Sequence, residues 1–557
     1  MRKSKIFLGL VINVIIFAGV DACFADVLTQ FQQAAAYRDD GYFDKAEELY
    51  KKVITENPGT NNALKAQKEL VLLSLRMQYH VQSTINDQAV LGKLIADFSA
   101  NSNLPAALYE IADEYGKVRR HEKAKSLYQQ IIQQYLGSVY AAKARLGIPK
   151  TDIRALIEVK SDQAAKAAIE KFISDYSNSP HIAESLHDIA FQWRWSKNFA
   201  EAIRTYQYVV DHWPTAEYGM WSQMGVAKAN VESGNFDAVK PALSKLIQNY
   251  SGNSGLPEAL ERIAIQYRKA SKFAEAKALY QKIVQIDPNS SFGGRAKVKA
   301  VEMNILSDVA AGKDTAVSAA VDNLLANFAG NQAVADALRD VAWEYDEELG
   351  KYQQAKAIYQ KIIDRYPDNY RASKALIEIT KGQILELVKA GQDDKVLPEI
   401  DKLVATYPNH AFLPDTLCQI ASNYYKKASQ PDSNQPNIIY FRKAAEIYEK
   451  VINELPASRS FLPRACCYAG DCYRELGEYE NAIKSYQKVI DTYPTCDMAW
   501  NALFMVGQTY QQIGKLGIIQ KSEADAQTKA AFEQLLAKYP DCKVAAIAQN
   551  WLSSQVK

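Results

Sequence analysis

One spacing recurs along the chain and constrains its fold more than any other feature. Six segments carry Ala, then Tyr four residues later, then Val or Ile three later, then Pro five later. They end at Pro58, Pro214, Pro288, Pro367, Pro456 and Pro494, as in Ala46/Tyr50/Val53/Pro58 and Ala482/Tyr486/Val489/Pro494. Steps of four and three place these side chains on one face of an α-helix, and Pro then stops the helix. A second stripe precedes each segment. Leu108–Tyr115, Leu186–Trp193, Leu260–Tyr267 and Leu417–Tyr424 share Leu-x-x-Ile-Ala-x-x-Tyr/Trp, and Cys467–Tyr473 carries Gly470 where the others carry Ala. A small residue in each helix lets the pair approach closely while the aromatics fill the flanks. A large side chain at the small position is expected to overpack at a cost of about 1–3 kcal/mol.

Weaker copies lie between these pairs, where Phe98, Tyr176, Tyr250, Phe328 and Tyr407 each close an amphipathic segment. Repeat ends then fall at 58, 99, 136, 177, 214, 251, 288, 329, 367, 408, 456, 494 and 540, with steps mostly of 37–41 residues. The two longest steps hold insertions at Lys426–Asn437 and near Lys515–Ala524. About 13 helix pairs account for the chain and predict an all-α fold with no space for a second domain. The low Gly and Pro counts, 25 and 18, fit short turns between helices, and the 33 Tyr fit the repeated aromatic positions.

The N-terminus reads as an export signal. Arg2, Lys3 and Lys5 precede a mostly apolar run from Ile6 to Val20, which is shorter than a bilayer span. Cys23-Phe24-Ala25 suits ordinary cleavage after Ala25. Two alternatives are a lipid on Cys23 (from Val20-Asp21-Ala22-Cys23) and a retained anchor. Residues 1–25 are thus expected to be a signal peptide. The mature chain has no other apolar run long enough to cross a membrane and is expected to be exported, periplasmic or outer-membrane-associated.

The helix-pair pattern resembles the tetratricopeptide repeat. The repeat ending at Pro288 carries Leu260, Ile263, Ala264, Tyr267, Ala276, Tyr280, Ile283 and Pro288 at the family's positions 4, 7, 8, 11, 20, 24, 27 and 32. The resemblance implies a right-handed α-solenoid over residues 26–557, lined on its concave face by each first helix. The 37–41-residue repeats, with NSNLPAAL and NSGLPEAL after the preceding repeat end, imply a lengthened first helix. In this and in the export signal the chain resembles outer-membrane assembly lipoproteins and Tol–Pal-associated periplasmic proteins. The family's groove positions 2, 5, 9, 12 and 13 fall on His187, Phe191, Arg194 and Trp195, then on Glu261, Ile265, Arg268 and Lys269. Further on they fall on Arg339 and Trp343, with a one-residue slip after Ala342, on Cys418, Tyr425 and Lys426, and on Arg464, Asp471 and Arg474. Phe191 and Trp195 would either anchor a partner or pack against the next repeat.

Little points to chemistry. The net charge of +2 speaks against a strongly basic nucleic-acid binder. The six His form no H-E-x-x-H, and Gly-rich nucleotide loops are lacking. Ser251–Gly255 reads as an inter-repeat turn. Carboxylates such as Asp346-Glu347-Glu348 are expected on solvated faces or turns. Cys418, Cys466, Cys467, Cys472, Cys496 and Cys542 lie late in the chain and could be core or groove thiols, form at least one disulfide (Cys472 or Cys496 the better placed), or hold a metal. The expectation is a non-catalytic envelope scaffold without cofactor, binding a protein or peptide. A carbohydrate- or cell-wall-binding or outer-membrane structural role is the alternative, and a peptidoglycan-active enzyme is a third.

Overall fold

The computed structural model describes residues 27–39, 42–80, 87–367, 369–408, 410, 412–429, 438–455, 461–494, 496–540 and 542–555. The expected leader, with Ala25 and Cys23, lies outside them, as do Pro456 and most of the Lys426–Asn437 insertion. The described residues are helical, with no strand among them.

Two compact units divide the chain, residues 1–107 with 383–557 as unit 1 and residues 108–382 as unit 2. The helices run α1 (27–39), α2 (Phe43–Glu56), α3 (Asn61–His80), α4 (Asp87–Asp97), α5 (Leu104–Lys117), α6 (His121–Gln134), α7 (Val139–Glu158), α8 (Asp162–Tyr176) and α9 (Ile182–Trp195). Next come α10 (Phe199–His212), α11 (Glu217–Glu232), α12 (Phe236–Asn249), α13 (Leu256–Lys269), α14 (Phe273–Ile286), α15 (Ser291–Ala310), α16 (Asp314–Asn327) and α17 (Ala333–Trp343). A π-helix (Glu344–Glu348) precedes α18 (Tyr352–Arg365), α19 (Tyr370–Lys389), α20 (Asp393–Thr406), α21 (Leu413–Ala428) and α22 (Ile438–Glu454). The described chain ends with α23 (Leu462–Glu475), α24 (Tyr479–Thr492), α25 (Asp497–Lys515), α26 (Lys521–Lys538) and α27 (Ala545–Ser554). From α2 to α26, each even-numbered helix closes one or two residues before a repeat end counted from the sequence.

The stripes set the packing. In α14 the buried residues are Ala276, Leu279, Tyr280 and Ile283, and in α13 they include Leu260, Ile263, Ala264 and Tyr267. Each fully buried Leu or Ile contributes about 1.5–3 kcal/mol. In unit 2 these stripes join into one core from Leu146 to Ala375. Within unit 1, α1 to α3 share a core that includes Ala46, Tyr50, Val53 and Leu70, and the Tyr42 ring meets Phe412 edge-on at 4.2 Å. The turn between first and second helix puts one residue in the left-handed region, Gly477 at φ +75° and Lys197 at φ +61°. There the helix end is closed by Lys197 N–H to the Arg194 carbonyl and Asn198 N–H to the Trp193 carbonyl.

The small position behaves as its spacing predicts. A Cβ on Gly470 would stand 2.6 Å from the Tyr486 ring, and one on Gly225 would stand 2.7 Å from Tyr206. Gly470→Leu is therefore expected to cost about 1–3 kcal/mol in denaturant unfolding, with Tyr486→Leu in the same chain recovering part of the loss. An unchanged unfolding midpoint would show that α23 and α24 can separate freely.

The lengthened first helix holds for the four 41-residue steps, where α3, α7, α15 and α19 each have 20 residues. It does not hold after NSNLP and NSGLP. There the extra residues form a turn and α5 and α13 keep 14 residues, because Asn101 and Asn253 side chains bond the turn backbone. Ser251–Gly255 is such a turn. The slip after Ala342 becomes the π-helix, which absorbs one extra residue just past Trp343.

Candidate functional site

Positions 2, 5 and 9 of a first helix lie on one face, since steps of three and four add up to near-whole turns. In unit 2 this face is charged to a degree the sequence reading missed. Lys150, Arg154, Glu302 and Lys381 are almost fully buried, with exposure of 0–1%. Each occupies position 5 or 9 of a repeat outside the six that carry the full Ala/Tyr/Val-or-Ile/Pro spacing. Positions 5 and 9 counted back from the repeat ends at 177, 329 and 408 fall on them.

Ion pairs link successive first helices. Lys150 Nζ lies 2.9 Å from Asp113 of α5 and 2.7 Å from Asp188 of α9. Arg154 lies 2.7 Å from Asp113. Burial alone would raise Asp113, but Arg154, Lys150 and Lys117 outweigh it and hold it well below the usual carboxylate range. Arg194 joins α9 to Glu232 of α11 at 2.6 Å. Glu261 of α13 holds Arg295 of α15 with two bonds, at 2.8 and 2.7 Å. Lys299 bonds Glu302 at 2.7 Å and Asp340 of α17 at 3.1 Å, and Arg268 reaches Asp340 at 3.1 Å. Desolvation pushes Glu302 up to about 7.

At the π-helix, Lys381 Nζ lies 3.0 Å from Asp346, 2.6 Å from Glu347 and 2.6 Å from Glu378. These carboxylate oxygens stand within 4.8 Å of one another, a spacing that could suit a metal ion. The Lys381 ammonium already supplies the cation. Asp346 corrects the expectation of a solvated acidic run: it is buried, and desolvation pushes it up to about 6. The extra residue of the π-helix turns Asp346 inward towards Lys381 while Glu348 stays exposed.

The expected groove residues fall into three groups. Arg268, Lys269, Arg339 and Trp343 line one hollow of about 450 Å³ together with Phe273, Asp340, Glu344 and Glu348. Phe191 and Trp195 stack in near-parallel at 6.3 Å, and Arg194 lies over Phe191 at 4.9 Å. Trp195 is 67% exposed, so it is not covered by the next repeat, and Ile265 is 36% exposed. His187 is half-buried between Tyr206 and Tyr218 and shares a hydrogen bond with Ser222 at 3.0 Å. In unit 1, Tyr425 packs edge-on against Phe441, Arg464 lies 3.9 Å from Asp415, and Asp471 accepts a bond from the Tyr486 hydroxyl. Arg474 pairs with its neighbour Glu475, and Lys426 is exposed. The six cysteines from Cys418 to Cys542 are in the thiol form. Cys418, Cys466, Cys467, Cys472 and Cys496 are buried, and desolvation pushes Cys418 up to about 12 and Cys466 up to about 11. That favours core thiols over a disulfide or metal, since a protonated buried thiol is a poor ligand and nucleophile.

Stacked helix pairs with a charged, aromatic first-helix face define an all-α repeat protein of the interaction-scaffold class. Tetratricopeptide-repeat profiles match residues 29–60, 258–290, 336–369 and 463–496. The chain is a tetratricopeptide-repeat protein, and such repeats serve typically as non-catalytic protein-interaction scaffolds. It is similar to the outer membrane protein assembly factor BamD of two Xylella fastidiosa strains. Identity is 20% over 215 residues, covering 32% of this chain and 68% or 67% of the relative. A solved tetratricopeptide repeat protein from Parabacteroides merdae has 13% identity and a TM-score of 0.22, with 61% of this chain and 99% of that chain covered. No helix among the described residues is long and apolar enough to cross a membrane.

Proposed function

We propose that this chain is a non-catalytic scaffold of the cell envelope that binds a protein or extended peptide along the first-helix face of unit 2. The observation that carries the reading is the hollow of Arg268, Lys269, Arg339 and Trp343, together with the exposed Trp195 stacked on Phe191. Trp and Arg are the residue types that most often dominate binding energy at interfaces. Three things support the envelope: the Arg2/Lys3/Lys5 and Ile6–Val20 signal pattern, the Ala25 cleavage pattern, and the partial likeness to BamD. Both cleavage after Ala25 and lipidation at Cys23 lead there.

Crosslinking the tagged chain in its native envelope tests the proposal. A protein partner should co-purify, and the Trp195→Ala/Trp343→Ala double variant should bind it at least about thirtyfold more weakly, since two anchors of this kind cost about 2 kcal/mol or more together. Recovery of the chain alone would overturn the reading. The stacked Phe191/Trp195 pair also suits a sugar ring. A glycan-array signal lost with Trp195→Ala, without a protein partner, would favour the carbohydrate reading instead.

A further inference from the structure

Three departures from the repeat meet at one contact inside unit 1. Second helices are capped by polar residues such as Asn198, Lys272, Lys351 and Glu478, but α2 is capped by Tyr42. The Leu-Pro start of a first helix follows Asn103 in α5 and Gly255 in α13, but it follows Phe412 in α21 and Phe461 in α23. These three rings come together. Tyr42 lies 4.2 Å from Phe412 and 6.0 Å from Phe461, centroid to centroid, and Tyr37 at the end of α1 lies 6.1 Å from Phe412. Tyr42 is 4% exposed and Phe412 1%.

A polar contact closes the far end of the ring. The Tyr42 hydroxyl donates to Asp415 of α21 at 3.5 Å, across 373 residues of chain. Asp415 also accepts a bond from Gln419 at 2.8 Å and stands 3.9 Å from Arg464 of α23. Asp415 and Arg464 both occupy groove position 2 of their repeats. The contact lies outside the core of the N-terminal repeat. That core holds Ala34, Ala46, Tyr50 and Leu70, and among the described residues it includes neither Tyr42 nor any residue of α21 or α23. Tyr42 is thus buried by the C-terminal repeats and not by its own. On the other side, α21 and α22 bury a stripe of their own, with Leu417, Ala421 and Tyr448. Two elements that keep separate cores and meet through a few side chains part at lower cost than either unfolds.

We infer that Phe412, Phe461 and Asp415 form a slot for the Tyr42-tipped turn of this chain's own N-terminal repeat, and that the contact is a releasable latch. Shut, the latch engages Asp415 at groove position 2 of α21. Open, it frees that position, beside Arg464, for a partner. The two Phe rings supply apolar walls, and the carboxylate suits an aromatic side chain with a hydroxyl at its tip. The slot stands on its own geometry, while the gating of a partner rests on the scaffold reading above.

Hydrogen exchange of the full chain tests the slot. The Thr416 and Ala465 amides donate to the Phe412 and Phe461 carbonyls and report on its walls. Tyr42→Ala should speed their exchange at least about tenfold, while amides inside α2 and α3 keep their protection. Phe461→Ala should speed exchange of the Tyr42 amide, which donates to the Tyr37 carbonyl, from the opposite side. Tyr42→Phe keeps the ring and loses only the bond to Asp415, so its effect should be smaller than that of Tyr42→Ala. Unchanged exchange at Thr416 and Ala465 in Tyr42→Ala would overturn the slot. Loss of protection throughout α2 and α3 in that variant would overturn the latch, because Tyr42 would then hold its own repeat together. Crosslinking the tagged chain in its native envelope tests the gating. Tyr42→Ala should capture more partner than the wild type, and equal capture would overturn the gating while the scaffold reading stands. If neither chain captures a partner, the scaffold reading falls and the gating with it, and hydrogen exchange still decides the latch.

Discussion

Lys381→Met should destabilise unit 2 by about 3–5 kcal/mol at pH 8, the scale expected when one side of a buried ion cluster is removed. Lys381 is 1% exposed and is the only cation within ion-pair distance of Asp346 among the described residues, with Glu347 and Glu378 also against it. Without it, the buried Asp346 and Glu378 carboxylates face each other with little water beside the exposed Glu347, and the buried pair is driven towards its neutral form. That fixes the sign of the pH effect. Carboxylates raised in the folded state contribute most stability when protonated, so the loss should shrink as the pH falls from 8 to 5. Denaturant unfolding at both pH values measures the effect, and hydrogen exchange in α17 and α19 locates it. A loss under about 1 kcal/mol at pH 8 would mean that water reaches the carboxylates.

Glu302→Gln should have the opposite sign at high pH. Burial raises Glu302 from an ordinary value of 4.5 to about 7, so its contribution is complete below 4.5 and is lost as the pH rises through 7. The shift corresponds to about 3 kcal/mol between those limits. The amide mimics the protonated acid, so the variant should match the wild type near pH 4.5 and exceed its stability at pH 8 by up to that amount. Asp346, raised to about 6, keeps a smaller dependence of the same sign in the variant. Asp340 runs the other way. Burial would raise it, but Lys299, Arg339 and Arg268 hold it at about 2, so its contribution is present above 3.8 and falls away in stronger acid. Thermal unfolding of both proteins from pH 4.5 to 8 decides the matter. Parallel curves would show that Glu302 is ionised throughout.

The repeat was legible because it is written in local spacing. Ala482, Tyr486 and Val489 must share a helical face whatever surrounds them, and Pro494 must end that face, so element type and repeat ends follow from the chain alone. Part of the proposed binding face was legible for the same reason. Arg268, Lys269, Arg339 and Trp343 were reached by counting positions, and they line one hollow. The buried charges were not reached, because composition reads Lys150, Glu302 or Asp346 as solvent-facing and nothing within one repeat marks them as buried. Their burial depends on a partner two helices away, near 40 residues along the chain, as with Arg154 and Asp113 at a separation of 41.

The sequence by itself determined the helices, their pairing, the small-to-aromatic contacts such as Gly470 on Tyr486, and where each repeat ends. Those depend on side-chain periods of three and four residues and on Pro geometry, which act within one helix or its nearest neighbour. Only the tertiary structure decided which charges are buried and that the slip after Ala342 becomes a π-helix turning Asp346 onto Lys381. A charge enters the interior only when an opposite charge arrives from another helix to offset its desolvation. That match is a property of how repeats stack, and no single repeat contains it.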